Sequence, residues 1–314
     1  MGVKIEAIKY TVPGWIDELF VNNYLKDLDA LEPVEAKMRL YKMGRMPLDE
    51  LQPFVEAALP EQLEDGRYAN DVPAKHKGGD ELMYHLWNVH SKQDRITNIL
   101  RRRSKRPFTF VPVWTPQEIE QRTRARQWNS VSWGAGSHAG CDIFALYVNV
   151  EMGLQQYRPA YEAAMATVTA LQNAEDGMWG GQQNDPMDRV NGTMKVLARV
   201  HEVQGCYLPF ADKVIDYVID FCKNGYPNSF SMHSTPVLSC TMLDIVFDLD
   251  YAIRMTNYRR NDVAETAYEL FPLIKELCQR DDWHPELMQN SIRRAALLCG
   301  LKDELGWPER IYRY

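Results

Sequence analysis

Acidic and imidazole side chains set beside aromatic and glycine-rich segments are where this sequence could do chemistry. Asp142 and Asp244 fall inside apolar helix-like runs, and Asp188 stands at the start of another. Carboxylates enclosed among apolar and aromatic groups can have their pKa values driven apart, leaving one as acid and one as base. His138 and His233 stand at the mouths of two such runs and suit a general base. A spacing of four residues sets His138 over Asp142 on one helix face, and Asp244 over Asp248. Trp133, Trp179, Trp283, Tyr68 and Phe230 recur just before apolar runs. Aromatic planes at a rim suit sugar faces and isoprenoid cations alike. Arg189 and Asn191 could neutralise or hydrogen-bond a substrate carboxylate.

Each of these residues has a structural alternative. Asp188 and Asp142 suit helix capping or an answer to a helix dipole. Asp244 and Asp248 could pair with Lys195 or Arg254 in a closed interior. The histidines could fix their own loops, and the tryptophans could plug gaps between helices with no ligand at all.

The elements that must position these groups are helices. Trp133-Gly134-Ala135-Gly136-Ser137-His138 precedes a run ending near Gly153. Asp176-Gly177-Met178-Trp179-Gly180-Gly181 precedes one from Asp188 to Gln204, and Phe230-Ser231-Met232-His233 one from Pro236 to Thr256. Asp282-Trp283-His284 precedes a fourth, ending at Gly300. Gly140, Asn191, Cys240 and Asn290 sit at near-equivalent points, a period of about 50 residues that belongs to a helical repeat. The stretch Val237–Thr256 is apolar on most sides, as a helix buried all round requires. Between these runs lie amphipathic ones, marked by Tyr161, Met165 and Val168, by Val214, Val218 and Phe221, and by Val263, Ala267 and Leu270. Each unit therefore reads as an inner helix, a short turn, an outer helix and a longer loop.

The fold class expected is all-α, in a single domain over residues 1–314. Residues 131–314 form regular hairpins and residues 1–130 less regular ones. Phe20–Met43, Leu48–Leu63 and Ile96–Arg103 read as helical. Pro107–Trp114 reads as extended, limited by its prolines to an edge or loop. The aromatic tail Trp307–Tyr314 would pack against a neighbouring hairpin and favour closure of the stack.

A formal charge of −7 argues against a nucleic-acid partner. The one basic run, Arg101-Arg102-Arg103-Ser104-Lys105-Arg106, reads as a solvated helix end and loop. The six cysteines form no C-x-x-C pair and read as reduced thiols. Met1–Glu6 has no leader-like apolar run, and no stretch nears the roughly 20 apolar residues of a membrane span. A cytoplasmic protein without a membrane partner is expected; the oligomeric state is left open. No zinc-type histidine or cysteine spacing and no nucleotide or serine-hydrolase motif is present, so neither a metal nor a cofactor is expected.

The loop Asp176-Gly177-Met178-Trp179-Gly180 and the repeat around it resemble the α/α-toroid proteins. These include terpenoid cyclases, six-hairpin glycosidases and polysaccharide lyases. The resemblance covers residues 130–300 and implies a ring of about five to six hairpins, inner helices within outer ones. It also implies a pocket at one end, with Trp133, His138, Trp179, Asp188 and His233 at matching positions. Asp248-Leu249-Asp250-Tyr251 lacks the third acid of the squalene-cyclase motif, and Asp281-Asp282-Trp283-His284-Pro285-Glu286 lacks that of metal-dependent prenyl chemistry. The function expected is that of a carbohydrate-active enzyme, a glycoside hydrolase or polysaccharide lyase. It would act on a small-molecule or oligosaccharide substrate by general acid/base chemistry at an aromatic-lined mouth. A terpenoid cyclase-like enzyme with an apolar cavity and a non-catalytic helical scaffold are the alternatives.

Overall fold

A computed structural model describes residues 10–69 and 81–308. Met1–Glu6 and the end of the aromatic tail lie outside that range. Among the described residues the structure is helical, with a single isolated antiparallel bridge between Gln62 and Tyr68. No helix among them is long and apolar enough to cross a membrane.

The N-terminal part holds α1 (Asn22–Tyr24), which continues a wide π turn over Ile16–Val21, then α2 (Pro33–Lys42), α3 (Leu48–Ala58), α4 (Glu81–Asp94) and α5 (Pro116–Arg124). The regular part holds α6 (Ser132–Glu151), α7 (Arg158–Ala170), α8 (Pro186–Val196), α9 (Glu202–Gln204) and α10 (Ala211–Asn224). It ends with α11 (Thr235–Ile253), α12 (Arg260–Glu269), α13 (Phe271–Cys278), α14 (Pro285–Leu298) and α15 (Lys302–Leu305). A π turn over Leu197–His201 makes α8 and α9 one continuous rod.

Helices α4, α6, α8, α11 and α14 pack side by side in that order, and α7, α10, α12 and α13 lie against this row. Burial follows composition. Most residues of α6 and α11 are buried, whereas α10 alternates buried Val214, Val218 and Phe221 with exposed charges.

The closest pairing is between α6 and α8, and small residues cause it. A Cβ on Gly136 would lie 2.5 Å from the Gly192 carbonyl oxygen, and one on Gly192 would lie 2.7 Å from the Ser132 carbonyl carbon. Helices that approach this closely need glycine at the crossing. Asp188 secures the same pair. Its carboxylate accepts from the backbone N–H of Ser132 at 2.7 Å and of Trp133 at 3.1 Å. A side chain of α8 thus caps α6, meeting two of the N–H groups that a helix start leaves unbonded.

This cap corrects one expected boundary. Trp133–His138 reads as a loop because of its glycines, yet it forms the first turns of α6. Pro107–Trp114 forms turns rather than a strand. There the buried Asn149 side chain accepts from the Phe108 N–H and donates to the Phe108 carbonyl. The helix near Ile96 ends at Ile99, short of the basic run. Leu25–Glu32 is not α-helical, and it separates two helices where one long one reads from the sequence.

The first and last helices of the described residues meet. Glu286, at the start of α14, accepts from the Tyr24 hydroxyl at 2.7 Å and pairs with Lys42 of α2. Phe20 packs its ring 5.8 Å from Trp307. On the other side, Ile99 joins Leu51 and Val55 of α3 in a small apolar cluster.

Candidate functional site

The row of long helices carries ionisable groups in places where apolar residues would pack more cheaply. Lys195, in the last turn of α8, reaches across to α11. Its Nζ lies 3.2 Å from both carboxylate oxygens of Asp244 and 5.8 Å from the centre of the Trp133 ring. Arg199, one turn further on, stacks its guanidinium 4.5 Å from the Trp87 ring centre. The same guanidinium donates to the Ser137 carbonyl at 2.7 Å and contacts Cys141 Sγ. Trp133, Lys195, Asp244, Arg199 and Trp87 are thereby brought together from α4, α6, α8, the π turn that follows it, and α11.

Two buried carboxyls on α11 set the electrostatics. Burial pushes Asp244 up to about 6, with Lys195 and then Arg199 opposing. Asp248 lies one turn along the same helix and is fully buried. Its two oxygens have no hydrogen-bond partner among the described residues. Burial holds its pKa well above the usual carboxylate range; Asp244 adds to this, while Lys195 and Arg294 oppose it. An uncompensated carboxylate in such a place is costly, so the surroundings of Asp248 favour its protonated form.

Other expected site residues take other places. Asp142 is fully buried on the flank towards α5, where Arg122 Nε lies 3.0 Å and Arg126 Nη2 2.7 Å from its Oδ2. Asp188 spends its oxygens on the α6 cap and on the Asn184 amide. Trp179 is 0% exposed and donates its indole N–H to the Val168 carbonyl, so it fills the space between helices. Arg189 is buried against Asp176 at 2.8 Å and over the Tyr217 ring. Asn191 is buried beside it in sequence, its Oδ1 without a partner among the described residues.

Trp283 sets its ring edge-on to Phe20 at 5.7 Å. Tyr68 is buried beneath Lys92. His138 is half-buried on α6, one turn on from Gly134. His233 is half-buried just before α11.

No family model, no curated protein and no solved structure matches this chain. Among the described residues, no group of three or more histidine, cysteine or acidic side chains is arranged to hold a metal ion.

Further along the row lies a second charged group, buried except at Arg254. Glu202 of α9, Asp250 of α11, Arg254 just past the end of α11, and Arg294 of α14 form one network of ion pairs. Arg254 therefore serves Asp250 and Glu202, while Lys195 serves Asp244. The buried Arg199 and Arg294, and the exposed Trp87 against Arg199, are the parts of this arrangement that sequence reasoning passes over. The readable signal for the two arginines is a cation inside an otherwise apolar helical run.

Proposed function

We propose that the helical row closes into an α/α toroid and that the protein is a carbohydrate-active enzyme, with the Lys195–Asp244 pair beside Trp133 as its working centre. Closure draws support from the contacts of Glu286 with Tyr24 and Lys42, and of Ile99 with α3, which link the last and first helices of the series.

The observation that carries the functional reading is Asp244 itself. Its pKa of about 6 lies near neutrality, where a carboxyl group can both give and take a proton. Lys195 supplies a positive charge beside it, and the Trp133 and Trp87 indoles supply flat apolar faces suited to a sugar ring. Asp244 is 1% exposed. An anionic sugar group drawing the Lys195 ammonium towards itself would open the Asp244 oxygens to the substrate. The acid/base role falls to Asp244 rather than to Asp142 or Asp188, whose oxygens are committed to arginines and to the helix cap. His138, half-buried on α6, is a second candidate base.

A terpenoid cyclase-like reading takes support from Asp248 as a buried acid whose surroundings favour its protonated form. It is weakened by Lys195 and Arg199, which hold positive charge against the same indoles that would have to stabilise an isoprenoid cation.

Crystals soaked with short neutral and uronate-containing oligosaccharides test the proposal. The expected result is sugar against Trp133 with a carboxylate or hydroxyl on Lys195. Absence of sugar there at saturating concentration, with sugar bound elsewhere or nowhere, would overturn it.

A further inference from the structure

A cavity of about 410 Å³ lies between the end of α3 and the basic run. Arg102, Lys105 and Arg106 line it on one side, and Glu56, Glu61 and Tyr68 contribute to the rest. We propose that this cavity binds a phosphate ester of a small molecule, with the phosphate seated on Arg102, Lys105 and Arg106.

The first argument is the way Glu56 is held. Its two oxygens are shared between two cations, Oε1 with Lys105 Nζ and Oε2 with Arg102 Nη2, each at 2.8 Å. A phosphate presents oxygens at nearly the same separation as a carboxylate, so the same two donors accept it in the same pose. A phosphate also has a third oxygen. Arg106 also lines the cavity, and its side chain has no hydrogen-bond or ion-pair partner among the described residues, so it has donors that Glu56 leaves unused.

The second argument concerns why Glu56 is there. It sits in the last turn of α3, where the helix dipole disfavours an acid. The two cations hold its carboxyl below the usual range, Lys105 first and Arg102 next. Its side chain remains 43% exposed, so it can swing into solvent when a stronger anion arrives. Glu56 thus occupies the site as an internal anion.

The walls are built rather than incidental. The buried Gln62 side chain donates to the Gly66 and Arg106 carbonyls, each at 3.0 Å, and accepts from the Arg106 N–H at 2.9 Å. This ties the 102–106 segment to the 62–68 turn. At Gly66 (φ +91°) a Cβ would lie 2.2 Å from the Pro107 carbonyl oxygen, so the two segments meet without room for a side chain. The volume falls within the roughly 300–1,000 Å³ of small-molecule pockets and exceeds what one phosphate needs. That leaves space for the organic part of an ester. None of these residues belongs to the Lys195–Asp244 centre, so the two proposals stand or fall separately.

Titration calorimetry on the full chain at constant ionic strength tests this, with inorganic phosphate, glucose 6-phosphate and acetate as probes. Melting curves confirm that each variant is folded. Both phosphates are expected to bind, the ester more tightly than inorganic phosphate, and acetate more weakly than either. Arg106→Ala should weaken phosphate binding about tenfold. Glu56→Gln should tighten it about tenfold, because the competing internal carboxylate is gone. Absence of binding to both the parent and Glu56→Gln, or weaker binding by Glu56→Gln, would overturn the site. Equal affinity for inorganic phosphate and the ester would overturn the assignment of an ester.

Discussion

Lys195 and Asp244 stand 49 residues apart in sequence and on different helices, yet the lysine ammonium bonds both oxygens of the carboxylate. The pair is nearly closed off from water, with side chains 14% and 1% exposed. Even with this partner, burial leaves the Asp244 carboxyl easier to protonate than a free one.

That imbalance has a stability signature. A carboxyl whose pKa is raised by folding contributes stability that is full below its unfolded pKa of 3.8 and is lost as the pH rises through about 6. Holding the carboxyl that far from its unfolded value corresponds to roughly 3 kcal/mol. Relative to the parent, Asp244→Asn should therefore gain roughly 3 kcal/mol between about pH 4 and pH 8, read by urea denaturation at each pH. A difference between the two proteins that does not change with pH would remove the raised pKa from the account. His201 works in the opposite sense. Burial lowers it to about 4, with the Tyr207 backbone opposing, so its contribution is lost on acidification. It is present in both proteins and cancels in the comparison.

Asp188→Ala removes the acceptor of the Ser132 and Trp133 N–H groups. The loss of an N-cap costs about 1–2 kcal/mol, and the start of α6 should fray. Hydrogen exchange should show faster exchange at residues 132–136 with α11 unaffected. Unchanged protection there would mean that the cap contributes nothing to α6.

Asp142→Asn leaves Arg122 and Arg126 without their shared carboxylate. Breaking a buried pair in this way costs about 3 kcal/mol, so the melting temperature should fall while Asp244 still titrates as before. A variant as stable as the parent would free Asp142 for a role other than holding α5 against α6.

The spacing of the long helices was legible because it is written in local composition. The helices α6, α8, α11 and α14 begin at Ser132, Pro186, Thr235 and Pro285, close to the spacing read from Gly140, Asn191, Cys240 and Asn290. The start of α6 was not legible. Its glycines read as loop, and the capping acid that makes them helical comes from 56 residues away. Lys195 could be named as a partner for Asp244 because few cations lie in the apolar runs. The assignment of Arg254 to Asp250 needed the geometry, since Asp244, Asp248 and Asp250 stand at similar depth in one sequence. Trp179 shows the same limit: its loop marks the repeat, but whether its ring faces a pocket or the core depends on helices packed against it.

Turnover of a panel of neutral and uronate-containing oligosaccharides by the parent and by Asp244→Asn tests the central claim most directly. Product masses separate hydrolysis, which adds water, from elimination, which does not. The account predicts cleavage by the folded parent and at least a hundredfold loss in Asp244→Asn, in line with the usual worth of a general acid or base. Equal turnover by both proteins, or no turnover of any sugar by the folded parent, would contradict it.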